Sequence, residues 1–396
     1  MESNEPELVR KRFGQRLRSW RERRRLSLDE VAAIASGSSD PISRSSLARF
    51  ESGEVLPTLG RLSVLARALD VPFTQLAAQY ELDSRLAGVK PEISGLSLAE
   101  IVTAASECVR SGQWLSVLAF VIAAEDRLGS NPAFSSDESR GLNLREIDAL
   151  VHLGYHVLAK AEVEVLLADP GLSTEQKLQA WQLFVISCYR QRLFTVAIAG
   201  LAQAEALLPK DGPPMPMHPQ LAFLRGALEV TMGHPEAAIA PYEAAVHGFE
   251  EQGNRFQVCS ARVSYAEALV TLGHFGRARA AAETAVREAA EAGFERTRAL
   301  GLSTLAVLSH RARNLAEAER WLAASNEIAV RTEYWDVCFR NNWVLRQIAR
   351  TKDDTKMAER CDRALRTYLS RVDQDLPEVR EYKDEIRRQS EKGGSI

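Results

Sequence analysis

The sequence holds no uninterrupted apolar run of the roughly 18 residues that a membrane-crossing helix needs. Its first residues turn from acidic to strongly basic without the apolar stretch of a secretory leader. Both absences make a cytoplasmic protein with no membrane partner the expectation. The five cysteines, Cys108, Cys188, Cys259, Cys338 and Cys361, are scattered singly, in odd number and without a CxxC pair. That pattern argues for small buried thiols and against a disulfide framework or a zinc site. Strand signals are nearly missing beyond residue 96, where alanine, leucine and glutamate dominate. Also missing are a GxSxG nucleophile turn, a phosphate-binding loop, an HExxH helix and a paired set of catalytic carboxylates. The expectation is therefore a protein that is not an enzyme and uses no cofactor or metal. His152 and His156 have the spacing of two metal ligands on a helix, but Gly154 marks a turn between them and no third ligand is near, which favours structural histidines.

What is present is long and unevenly charged. At 396 residues the chain exceeds one ordinary core, so two or more units are expected unless it is a repeat array. The net charge of −3 hides a basic head on an acidic body. Between positions 10 and 25 stand nine basic residues (Arg10, Lys11, Arg12, Arg16, Arg18, Arg21, Arg23, Arg24, Arg25) against one acid, Glu22. A polyanion approached at one end suits that asymmetry, whereas a charge run by itself is usually only a solvated helix face.

Residues 26–53 organise the head. Phe13, Leu17 and Trp20 give a first helix an apolar seam inside the basic run. Ser27 with Glu30 three residues on is a capping box that opens a second helix, with Val31, Ala32 and Ile34 expected to face inward. Ser43 is the N-cap of a third helix whose Leu47 and Phe50 fall on the buried side and whose Arg44, Ser45 and Arg49 project outward. Gly53 ends it, Pro57 precedes a fourth helix with Leu59, Leu62, Leu65 and Leu69 as its core stripe, and a fifth begins at VPFTQL.

These residues resemble the phage-repressor or xenobiotic-response-element (XRE) family of five-helix DNA-binding domains. The resemblance implies that the third helix enters the major groove from its N-terminal end. Arg44, Ser45, Ser46 and Arg49 then stand at base-contacting places, with Ser43 and Arg18 as further DNA contacts. An arginine fork takes guanine O6 and N7 together, so Arg44 and Arg49 are the strongest candidates for reading sequence. Arg21 and Glu51 occupy the places of a family ion pair that is structural. Leu28 stands where the family often has a polar DNA contact. The turn carries four residues beyond the usual pattern, Ser38-Ser39-Asp40-Pro41, an insertion that a surface loop absorbs at small entropic cost.

Beyond the head the sequence repeats. Turn markers at Gly112, Gly154, Arg192, Gly233, Gly273, Arg313 and Asp353 are spaced by 42, 38, 41, 40, 40 and 40 residues, giving seven units. Five residues past each marker come Val117, Ala159, Ala197, Ala238, Ala278, Ala318 and Ala358, and twelve past it Ala124, Leu166, Ala204, Ala245, Ala285, Ser325 and Leu365. Small residues at fixed places let antiparallel helices approach closely. The pattern resembles tetratricopeptide (TPR) repeats with long helices, against a generic helical bundle as the plainer reading. Residues 214–219 (PMPMHP) are expected to form a loop, the stretch after Asp375 a last helix, and KGGSI a disordered end.

The expected fold is thus all-α: a helix-turn-helix domain over residues 1–85, a linker over 86–95, an α-solenoid of about seven TPR-like hairpins over 96–372, and a capping helix and tail over 373–396. The first helix of each hairpin should line a concave groove. Residues expected there include Gln179, Gln182, Tyr189, Arg190, Ser260, Glu267, His310, Arg311, Arg340, Gln347 and Arg350, whose arginines suit carboxylates and whose glutamines suit a peptide backbone. Taken singly, each is also an ordinary solvated position.

A head of this kind followed by such repeats resembles the peptide-responsive bacterial regulators known as the RRNPP group. The resemblance implies a transcriptional regulator that binds double-stranded DNA as a homodimer, with a peptide or protein in the groove changing operator binding. Two other readings stay open: an interaction scaffold or antirepressor tethered by its head, and a repeat-based phosphatase or hydrolase, which lacks a nucleophile constellation.

Overall fold

The structure, a computed structural model, describes residues 5–89, 93, 95–110, 113–128, 137–208, 218–372 and 376–393. Among the described residues there are twenty helices and no strand. The chain divides into two compact units, Met1–Leu207 and Leu208–Ile396.

The first unit opens with five helices: α1 (Glu5–Arg23), α2 (Leu28–Ala35), α3 (Arg44–Glu51), α4 (Leu59–Ala68) and α5 (Phe73–Leu86). Their apolar faces close on one core of Phe13, Leu17, Trp20, Val31, Ala35, Ile42, Leu47, Phe50, Leu65, Leu69 and Leu76. Two inward positions differ from the sequence reading. Ile34 is 55% exposed and Ala35 is buried in its place, because the stripe Leu28–Val31–Ala35 steps around α2 at helical period and leaves Ile34 beside it. Leu59 is 72% exposed, since it is the first residue of α4, directly after the N-cap Thr58, and the stripe starts at Leu62.

Three hairpins complete this unit: α6 (Leu98–Arg110) with α7 (Trp114–Leu128), α8 (Asp137–His152) with α9 (His156–Leu167), and α10 (Thr174–Arg190) with α11 (Phe194–Ala206). The second unit continues in the same style, with α12 (His218–Thr231) and α13 (Pro235–Glu251), α14 (Arg255–Thr271) and α15 (Phe275–Ala292), α16 (Glu295–Arg311) and α17 (Leu315–Arg331), and α18 (Trp335–Thr351) and α19 (Thr355–Tyr368). The last helix, α20 (Pro377–Gly393), packs on α18 as α18 packs on α16 and α16 on α14. It therefore takes the place of a further first helix and caps the array with Val379 and Tyr382 against Phe339 and Trp343.

The 40-residue rhythm has a backbone cause. Arg192, Arg313 and Asp353 (φ +62°, +62° and +57°) and Gly154, Gly233 and Gly273 (φ +86°, +86° and +78°) all end the first helix of a hairpin in the left-handed conformation. One such residue stops the helix and turns the chain back on itself. Glycine adopts it without strain, and the three other residues hold it at some cost. The remaining marker, Gly112, lies outside the described residues. Gly253, Gly293 and Glu333 keep a second left-handed series at the return turns, again forty apart. Val117, Ala159, Ala197, Ala238, Ala278 and Ala318 are fully buried where paired helices meet, and Ala358 in the final hairpin is half-buried. Most of the expected loop at 214–219 and the last three residues lie outside the described residues, while His218 and Pro219 begin α12.

Candidate functional site

The helix-turn-helix is built by local caps and one close approach. Ser27 accepts from the Glu30 backbone and Glu30 from the Ser27 backbone, which starts α2. Ser43 accepts from the Ser46 backbone at 3.1 Å and starts α3; its hydroxyl also bonds those of Ser45 and Ser46. Ser43 is thus engaged in holding the helix end. A Cβ on Gly14 would lie 2.4 Å from the Phe50 carbonyl oxygen, so α1 and α3 touch backbone to backbone there. Seven residues on, Arg21 donates to both carboxylate oxygens of Glu51 at 2.6 and 2.8 Å and to the Leu26 carbonyl at 2.8 Å. The carboxylate raises the Arg21 pKa further, against the opposing effect of burial.

On the outward side of α3, Arg44, Ser45 and Arg49 are exposed and Ser46 is half-buried. Arg44 Nε lies 3.2 Å from Asp29, and Arg49 donates from Nε (3.0 Å) and Nη2 (2.9 Å) to Glu54. Arg18 is likewise held by Glu22 at 2.8 Å. The inserted turn is tied down: Asp40 accepts from Thr58 and Arg61 at the start of α4, each at 3.3 Å, and Ile42 is buried in the core. Four extra residues therefore leave α3 anchored at both ends.

The basic run on α1 serves a second surface as well. Arg16 pairs with Glu146 of α8 at 2.6 Å, and Arg23 reaches both oxygens of Glu162 of α9 at 3.0 and 3.3 Å. Burial pushes the Glu162 carboxyl up, but Arg23 and Arg16 outweigh it and the net shift is downward. From α5, Arg85 donates to the Tyr155 hydroxyl at 3.0 Å, and that hydroxyl donates to Glu81 at 3.1 Å. A buried polar stripe, Gln75, Gln79 and Asp83, runs along α5 at four-residue spacing. Asp83 is 2% exposed, accepts from Gln79 at 3.1 Å, and is pushed up to about 6 by burial, with Arg16 and Arg12 pulling the other way. The head thus has a closed apolar core and is joined to its neighbouring hairpins by several charged pairs, with Leu82 and Leu86 of α5 buried outside that core.

The expected groove residues fall in both units. In the first, Gln179, Gln182 and Tyr189 on α10 are half-buried and Arg190 is exposed. The Gln182 side-chain amide oxygen, Oε1, is buried without a partner among the described residues, and Tyr189 leans on Phe194. His156 is pushed down to about 4 by burial, helped by Arg190. His152 stacks on Trp114 at 3.9 Å, and no cluster of metal-binding side chains occurs among the described residues.

In the second unit a polar ladder crosses successive first helices: Glu267 of α14 accepts from Thr304 of α16 and from Arg340 of α18, and Arg340 donates to Glu378 of α20 at 2.9 Å. Arg350 is bound to Glu385 of α20. Arg346, 3% exposed, pairs with Asp362 at 2.7 Å and Glu385 at 2.8 and 2.9 Å beneath the rings of Trp343 and Tyr382. Arg340 and Arg350 are therefore neutralised within the chain by carboxylates of α20 that sequence reasoning did not connect to them. Ser260, His310 and Gln347 are half-buried, and His310 is shifted down by burial and by Arg313 and Arg311. Arg311 lies over the Phe275 ring beside a cleft of about 210 Å³ that Arg279 and Leu308 also line.

Comparisons with known proteins agree with this geometry. Residues 12–79 match the family described as helix-turn-helix domain. Among solved structures, the chain is similar to the apo form of RapI (TM-score 0.53, 14% identity, 70% of this chain and 77% of that one). It is also similar to a Rap protein complexed with competence and sporulation factor (0.54, 12%, 73% and 86%). A third is the signal transduction ATPase with a tetratricopeptide repeat sensor from Pyrococcus horikoshii (0.51, 14%), where the match covers 93% of this chain and 53% of that one. At these identities the likeness is one of fold: the hairpins are TPR-like. No curated protein matches the sequence.

Proposed function

We propose that the protein is a cytoplasmic transcriptional regulator, without enzymatic activity, that reads double-stranded DNA through α3 and is controlled by a peptide or protein held on its TPR-like hairpins. The observation that carries this reading is the exposure of Arg44, Ser45 and Arg49 along one side of a firmly capped helix-turn-helix. A homodimer placing two α3 segments in successive major grooves of a pseudo-palindromic site fits such a head. Among the described residues, no helix is long and apolar enough to cross a membrane. A partner-binding role for the hairpins is supported by the buried side-chain amide oxygen of Gln182, unpartnered among the described residues, on the helix that also carries Tyr189 and Arg190. In the second unit, Arg340 and Arg350 are already engaged, so the ligand role is assigned first to the α10 side.

The test is selection of bound duplexes from a random library with the full-length chain. Arg44→Ala and Arg49→Ala should each reduce discrimination between selected and random duplexes by about tenfold to a hundredfold, as loss of a bidentate guanine contact does. An even loss of affinity for every duplex would remove α3 as the reader.

A further inference from the structure

The segment that must come nearest to a polyanion is itself acidic. Residues 27–58 hold two arginines, Arg44 and Arg49, against five acids, Asp29, Glu30, Asp40, Glu51 and Glu54. Three of the five have structural employment: Glu30 closes the capping box, Glu51 binds Arg21, and Asp40 holds the inserted turn on α4. The other two are exposed, and each touches one of the two reading arginines: Asp29 lies on Arg44 and Glu54 on Arg49.

The contacts use particular edges of the guanidinium groups. Asp29 sits on Nε of Arg44. Glu54 takes Nε and Nη2 of Arg49, one of the two-donor edges that fit guanine O6 and N7. Exposed pairs of this kind are weak in water and are exchanged readily for another acceptor. Near DNA the exchange is asymmetric. A guanine edge offers directed acceptors that replace the carboxylate, whereas a random sequence leaves the carboxylate close to the phosphates with no compensating contact.

Building on the DNA-reading role of α3, we propose that Asp29 and Glu54 are specificity residues. They hold the reading arginines in the unbound protein and repel duplexes that offer those arginines no guanine. Their carboxylates weaken non-specific binding more than they weaken binding to the chosen site.

The experiment measures the affinity of the full-length chain, of Asp29→Asn, of Glu54→Gln and of the double variant for two probes over a salt series. One probe is a duplex enriched from a random library by the unaltered chain; the other is a random-sequence duplex of equal length. In the double variant, affinity for the random duplex should rise by roughly threefold to tenfold and the ratio of the two affinities should fall, with a steeper salt dependence of about one released counterion per freed arginine. Thermal unfolding should be unchanged, which keeps a folding defect from mimicking the result. An unchanged or increased ratio overturns the proposal, as does a loss of affinity for both probes, which would make the two acids simple props for the arginines. Failure of the unaltered chain to enrich any duplex would instead overturn the DNA-reading role itself, and is told apart because it appears before any variant is compared.

Discussion

Arg21 and Glu51 join the end of α1 to the end of α3 by two parallel hydrogen bonds of 2.6 and 2.8 Å, both side chains nearly excluded from solvent. A buried pair is costly to break because the survivor keeps its charge without a partner. Arg21→Ala or Glu51→Ala should destabilise the head by about 3–5 kcal/mol, while replacing both should cost less than the two losses added. Chemical unfolding of the head, followed by Trp20 fluorescence, measures the coupling. Simple additivity would show that the pair is unimportant to the fold.

Gly14 offers a sharper test of the same seam. Its missing side chain lets α1 lie against the carbonyls of Phe50 and Glu51, with a Cβ there 2.4 and 2.7 Å from the two oxygens. Both atoms belong to backbone and cannot swing away. Gly14→Ala should therefore lower head stability by about 1–3 kcal/mol despite the better helix propensity of alanine. Thermal melting decides it, and a gain in stability would mean that α1 and α3 are not in this contact.

The head and the repeat period could be read from the sequence because each rests on local rules. Capping needs Ser27 and Glu30 three residues apart, and the hairpin turn needs a residue that accepts positive φ, so glycine recurs at 154, 233 and 273. Arg192, Arg313 and Asp353 fit the series by spacing alone, since their types do not announce the conformation. The groove was harder. Arg340 and Arg350 look the same in sequence whether they await a ligand or already hold Glu378 and Glu385, and those partners lie 38 and 35 positions away on a helix whose docking no local pattern fixes. The same holds for Arg16 and Glu146, 130 positions apart.

That pair should make the docking of the head sensitive to salt. Exposed contacts between Arg23 and Glu162 and half-buried ones between Arg16 and Glu146 weaken as the Debye length shrinks, from about 10 Å at 0.1 M to about 3 Å at 1 M. Glu146→Gln with Glu162→Gln should raise hydrogen exchange along the surfaces of α1 and α5 that face α8 and α9, and should do so at low salt. The head core, closed without these residues, should melt as before. Exchange unchanged in the double variant would show that apolar contact dominates the junction.

Glu385 supplies a pH signature in the second unit. Arg346, against the opposing effect of burial, and Arg350 hold its carboxyl down to about 2. A carboxyl lowered on folding stabilises the protein above its unfolded value, near 4.5, and that contribution disappears as pH falls towards 2. At neutral pH, with screening by solvent, it amounts to about 1–2 kcal/mol. Glu385→Gln should remove most of it, leaving Arg346 buried against Asp362 alone, and should flatten the loss of stability between pH 5 and 2 seen in urea titrations.

Asp83 should behave in the opposite sense. Burial raises its carboxyl from 3.8 to about 6, so the folded protein holds that proton more tightly than the unfolded chain does. Folding is then favoured at low pH, and stability declines as pH rises from about 4 to about 6, by roughly 3 kcal/mol in all. Above pH 6 the charged group stays in place as a constant cost, offset only in part by Arg16 and Arg12. Asp83→Asn keeps an acceptor for Gln79 and carries no charge. It should stabilise the first unit by about 2–3 kcal/mol at pH 7, with most of the gain gone near pH 4 and the rest lost below about pH 3, where the native aspartate is protonated in both states. Urea unfolding of both proteins at pH 4, 5.5 and 7 separates the outcomes. A variant equally or less stable at pH 7 would mean that Asp83 is held as a charged partner of the α1 arginines, and that the polar stripe on α5 is fastened to α1 through that charge.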